Sequence, residues 1–86
     1  MTIREVLNML FWNSRLSRED YEVIFTHRGV YGNQKTIPFT TITMIHPSRF
    51  TYINNGWKET TIPFHRILEI RDIKTNASIW KKGQER

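Results

Sequence analysis

Apolar residues recur at helical spacing only once in this chain, and after Tyr21 the period drops to two. Ile3, Val6, Leu7, Leu10 and Phe11 line one face of a helix over residues 3–11. Thr2 and Glu5 are spaced as a capping box, each side chain reaching the other's backbone N–H. No second helical stretch follows that could carry the chain across a sheet. Successive strands joined by short turns must then run antiparallel. This one fact restricts the fold to a helix on an antiparallel sheet.

The strands are expected at Tyr21 to Arg28, an edge segment at Lys35 to Ile37 limited by Pro38, Thr40 to Ile45, Arg49 to Ile53, Trp57 to Ile62, Arg66 to Arg71 and Ser78 to Lys82. Asn54-Asn55-Gly56 lies between two such runs and reads as a hairpin turn. Leu68 and Ile70 are expected on the inner face of their strand. The expected class is α+β: an amphipathic N-terminal helix packed on a curled antiparallel sheet, or on a partly closed barrel of about five or six short strands. With 86 residues the chain fits a single domain, 1–86, with one thin core and no deep substrate cavity. No full repeat is evident. The pair His27-Arg28 and His65-Arg66 is the one echo.

The longest apolar run, Met9 to Trp12, is too short to cross a bilayer, and no signal-peptide stretch is seen. There is no cysteine, so neither a disulfide nor a thiolate zinc site can form. The three histidines lie far apart with no acids clustered near them, so no metal and no cofactor are expected. These features fit a cytoplasmic protein without membrane contact.

Net charge is +5, and it is unevenly placed. Residues 27–58 hold Arg28, Lys35, Arg49 and Lys58 and no acid. The same stretch carries His27, Tyr31, Phe39, His46, Phe50, Tyr52 and Trp57. Cations neutralise phosphates and flat rings stack on bases, so this mixture suits single-stranded nucleic acid. The competing reading is that most of these rings are core.

Two segments carry the chemistry. His27-Arg28-Gly29 ends a strand in a glycine loop, where Arg28 offers a planar fork to phosphate and Gly29 admits close backbone approach. Ile62-Pro63-Phe64-His65-Arg66-Ile67 presents His65 and Arg66 at a proline corner. A packed corner and solvated arginines are the plain alternative. His27 and His65 could also serve as base and acid of a metal-independent phosphodiesterase, although strand alternation would point His27 and Arg28 to opposite faces. Tyr31 and Tyr52 are candidate stacking rings, with Lys35 and Arg49 as auxiliary contacts.

Arg4-Glu5-Val6-Leu7-Asn8 with Trp12, Asp20-Tyr21-Glu22 leading to His27-Arg28-Gly29, the Ile62 to Ile67 string and Ile79-Trp80-Lys81 occur together and in order. In this the chain resembles a small archaeal family of otherwise uncharacterised proteins. The same domain in larger eukaryotic proteins is called the RNA cyclic-group end recognition domain. The resemblance implies recognition of processed RNA ends, including 2′,3′-cyclic phosphates, through His27, Arg28, His65 and Arg66. Asn13 departs from the aspartate expected after Trp12, and no role is carried to it. The reading is therefore a non-catalytic RNA-binding module, monomeric or weakly self-associating, with possible protein partners in RNA processing. The alternatives are an RNA-end phosphodiesterase and a protein-interaction domain using a sheet edge or exposed aromatics.

Overall fold

The computed structural model describes residues 2–27, 31–54 and 56–83. Helix α1, Ile3–Trp12, starts as its sequence requires. Glu5 N donates to Thr2 Oγ1 at 3.3 Å, and Thr2 N donates to Glu5 Oε1 at 3.1 Å. Donation to the Glu5 carboxylate from the Thr2 N–H, and from the Thr2 hydroxyl at 3.0 Å, lowers the Glu5 pKa. Val6, Leu7, Leu10 and Phe11 are buried. They join one core cluster with Val23, Phe25, Phe39, Phe50, Tyr52, Ile62, Ile67, Ile70 and Trp80. No described helix is long and apolar enough to cross a membrane.

The strands are β1 Tyr21–Thr26, β2 Gln34–Pro38, β3 Ile42–Ile45, β4 Arg49–Ile53, β5 Glu59–Pro63, β6 Ile67–Asp72 and β7 Ser78–Lys81. They form two antiparallel sheets, ordered β2-β1-β6-β7 and β3-β4-β5. The expected single curled sheet or partly closed barrel of about five or six strands is thus corrected, among the described residues, to seven strands in two open sheets.

The reason is an internal repeat. Thr-Ile-Pro-Phe-x-x-Ile-x-x-Ile occurs at Thr36 to Ile45 and again at Thr61 to Ile70. In each copy a strand ends at proline, whose lost N–H and fixed φ stop the ladder. Pro38 has φ −64° and ψ 141°, and Pro63 has φ −64° and ψ 145°. A buried phenylalanine then opens one 3-10 turn, Phe39–Thr41 or Phe64–Arg66, and the next isoleucine N–H bonds back to that phenylalanine's carbonyl.

Strand pairing repeats as well. Val23 pairs with Ile37 as Phe50 pairs with Ile62, and Phe25 pairs with Lys35 as Tyr52 pairs with Thr60. The third strand of each copy crosses to the other copy's hairpin. Phe25 pairs with Ile67 and Tyr52 with Ile42, and the register slips at the same point in both. This exchange prevents either half from closing on itself and splits the strands between two sheets. The echo is therefore carried by the proline corner. By register His27 corresponds to Asn54, and His65 to Thr40.

Two finer expectations change. The extra residue of the β6 bulge is Leu68, so Ile67 and Ile70 face the core while Leu68 is half-buried. The expected strand at Trp57 begins only at Glu59. Asn54 N donates to Lys58 O and Trp57 N to Asn54 O, which keeps Trp57 in the turn with φ 65°.

Candidate nucleic-acid interface

The β1–β6 ladder ends at the pair Phe25 and Ile67. Its continuation places the Thr26-His27 end of β1 alongside His65-Arg66 of the second 3-10 turn. His27 and His65 each lie two residues beyond that last pair. Thr26, His65, Arg66 and Lys82 line a cleft of about 280 Å³ there. A neighbouring depression of about 290 Å³ is lined by Ile3, Phe64, His65, Ile67, Trp80 and Lys82. His65 and Lys82 thus stand between a basic cleft and an apolar one.

Local chemistry explains the placement. Pro63 ends β5, so the chain leaves the sheet at Phe64, whose N–H donates to Ser48 O. Phe64 is buried, and the short turn then leaves His65 and Arg66 exposed. Lys82 lies just after β7, where its backbone N–H donates to Leu68 O at 2.9 Å. Its ammonium donates to the His65 carbonyl and ties the tail to the turn.

Charge pairing sorts the bases. Arg71 faces Glu22 at 3.8 Å and Lys74 faces Asp20 at 3.3 Å. Among the described residues no carboxylate lies within ion-pair distance of Arg66 or Lys82. An arginine and a lysine on one concavity, with no described carboxylate to neutralise them, have the chemistry to attract an anion. No described group of His, Asp or Glu could hold a metal ion.

The remaining sequence candidates are dispersed. Arg28 and Gly29 lie outside the described residues, as does the Tyr31 side chain. His27 is half-buried; its ring lies 6.1 Å from that of Phe25, and its N–H donates to Asn33 O. Tyr52 is only 2% exposed, packed near Phe25 and Phe50, so the expected stacking role is corrected: its ring is core. Arg49 is exposed but registers against Pro63, outside the cleft. Lys35 stands over the Tyr52 ring, 5.6 Å from its centroid, in a different cleft.

Thr26 and Lys82 were not singled out as site residues by sequence. Lys82 belongs to a basic end after Trp80, formed by Lys81, Lys82 and Arg86, which by sequence reads as solvated or as added phosphate contacts, and the β6–β7 pairing brings it to His65.

Comparison with known proteins decides the family. The model of the MJ1316 RNA cyclic group end recognition domain matches residues 1–82. The chain belongs to this family. Similar proteins of this RNA cyclic group end recognition family are archaeal and named UPF0248. One from Methanococcus vannielii is 40% identical over 80 residues, covering 93% of this chain and 90% of that protein. One from Methanocaldococcus jannaschii is 39% identical, covering 93% and 92%. One from Pyrococcus abyssi is 41% identical over 85 residues, covering 99% and 94%. No solved structure matches the chain significantly.

Proposed function

We propose that the chain binds the 3′ end of RNA, with a terminal 2′,3′-cyclic phosphate as the preferred group, at the cleft of Thr26, His65, Arg66 and Lys82. One observation carries this reading: Arg66 and Lys82, without a carboxylate partner among the described residues, share a concavity with His65 in a chain of the RNA cyclic group end recognition family. A cyclic phosphate has two non-bridging oxygens and one negative charge. The Arg66 guanidinium and the Lys82 ammonium donate to those oxygens. His65 bonds a ring oxygen of the cyclic ester. The adjoining apolar depression, with Phe64, Ile67 and Trp80, receives the flat face of the last base. Arg28, the residue after His27 in the sequence, is proposed to add a further cation.

A second reading rests on the shared register of His27 and His65. One imidazole would take a proton from water as its oxygen attacks phosphorus. The other would give a proton to the ribose oxygen whose bond to phosphorus breaks. The test is binding of short labelled RNAs ending in 2′,3′-cyclic phosphate, 3′-phosphate or 3′-hydroxyl at two salt concentrations, with the recovered ends analysed. Salt-sensitive preference for the cyclic end without turnover is the expected result. Conversion of the end would replace recognition with hydrolysis. Equal or salt-insensitive binding of all three would reject both and favour protein interaction.

A further inference from the structure

The internal repeat builds a counterpart to the Arg66 cleft. Thr41 occupies the position of Arg66, and Ile53 that of Thr26. The second cleft is about 420 Å³, and Lys35, Thr36, Thr41, Ile53 and Asn54 are among its walls. Along Ile53 and Asn54 it runs into a shallower depression of about 290 Å³ that ends at Gly56 and Trp57. We propose that this continuous surface is a second subsite for a single-stranded ribonucleotide, with Trp57 stacking the base and Lys35 holding the backbone phosphate. The proposal rests on the RNA reading above and extends it from the end to the body of the strand.

Trp57 is the main observation. Its side chain is 85% exposed at the hairpin tip, although burial of an indole is strongly favourable. Its backbone φ of 65° is uncommon for any residue with a bulky side chain. The bond from Trp57 N to Asn54 O maintains that conformation. A strained backbone that displays a large ring to solvent is a feature of ligand-contacting turns. The ring stands at one end of the surface and Lys35 lines the other.

Lys35 is half-buried, its ammonium steadied over the Tyr52 ring. Among the described residues no carboxylate lies within ion-pair distance of it. Glu59 registers opposite Ile53 but is not part of the cleft wall. The Thr41 hydroxyl donates to Pro38 O at 2.8 Å, which leaves its oxygen as an acceptor for a ribose hydroxyl. One lysine, hydroxyl groups and one ring suit a nucleotide read by stacking, without base-edge specificity.

The test compares uridine 2′,3′-cyclic monophosphate with cyclic-phosphate-ended oligouridines of increasing length, on the whole chain. Affinity of the unaltered protein is expected to rise with length to a plateau. Trp57→Gly suits the left-handed φ and so removes the ring without added strain. Lys35→Met keeps the stem over Tyr52 and removes the charge. Each should cut the affinity for the long RNA by about tenfold, the scale of one stacked base, while leaving the mononucleotide unchanged. Trp57→Phe should recover most of the loss. A length-dependent gain that survives in both Trp57→Gly and Lys35→Met would overturn the subsite. If Arg66→Ala still weakened the mononucleotide in that case, the end-recognition reading would stand alone. If Arg66→Ala changed nothing while Trp57→Gly removed the length gain, the end reading would fall and the subsite would stand.

Discussion

Replacing Arg66 by alanine tests the central electrostatic claim in numbers. Two cations with no carboxylate partner among the described residues, Arg66 and Lys82, line the cleft of Thr26, His65, Arg66 and Lys82. For single-stranded nucleic acid, log K falls with log salt at about 0.7 per neutralised phosphate charge. Both cations act on the single charge of the cyclic phosphate, so the slope contributed by this cleft is about −0.7, and a rise from 50 to 200 mM salt weakens binding about 2.6-fold. With Arg66→Ala that charge is left to Lys82 alone, and the slope becomes shallower than about −0.7. At fixed low salt the variant should also lose about tenfold in affinity. That corresponds to the lower end of a charge-assisted hydrogen bond, about 1.5 kcal/mol, because Arg66 is exposed and screened. Fluorescence anisotropy of a labelled cyclic-phosphate RNA across a salt series measures both quantities. An unchanged slope with reduced affinity would mean that Arg66 acts through packing, and an unchanged slope and affinity would remove the cleft from the interface. Lys82→Ala should lower the slope by a similar step, but it also frees the His65 carbonyl, so its affinity loss mixes two causes.

Other outcomes follow from the packing. Phe39 is fully buried, so Phe39→Ala should cost about 3–5 kcal/mol in urea unfolding, by lost burial and a residual cavity. Gly56 has φ 94°, and Gly56→Ala should destabilise by about 1–2 kcal/mol, read as a lower melting temperature, although no atom would clash with the new methyl. Thr2→Ala removes the cap of α1 and should cost about 1 kcal/mol on the same measurement. Because the Glu5 pKa is depressed in the fold, its contribution is complete above the unfolded carboxylate range. It fades as pH falls through the lower folded value, so acid titration of helical circular dichroism should lose this component in the unaltered chain and not in Glu5→Gln.

The helix was legible because its cues are local. Thr2, Glu5 and five apolar positions are adjacent along the chain, and the structure returns them as α1 with its capping box. The edge segment before Pro38 was legible for the same reason: proline acts on its own residue, and β2 is indeed at the sheet edge. The 3-10 turn after Pro38 overlaps the strand expected from Thr40, because β-branched residues follow and a turn of one residue triplet leaves no periodicity, whereas the corner at Pro63 that presents His65 and Arg66 was legible from the proline itself. Of the candidate site, His65 and Arg66 line one cleft and Lys35 another. Tyr52 was misjudged because aromatic type says nothing of which face a ring takes. Its exposure was settled by Phe25 and Phe50 from two different sheets.

Local cues alone set the class, one helix followed by antiparallel strands, and composition alone set the net positive charge. The sequence also held the repeated Thr-Ile-Pro-Phe-x-x-Ile-x-x-Ile. Each of these is a property of neighbouring residues or of a sum over the chain. Long-range pairing placed each copy's last strand on the other copy's hairpin. That exchange brings Thr26 to Arg66 and Ile53 to Thr41, residues far apart in the chain, and so makes the two clefts. It also assigned the aromatics, burying Tyr52 and leaving Trp57 in solvent. Partner choice between strands depends on long-range register and shared burial, and no local propensity encodes it.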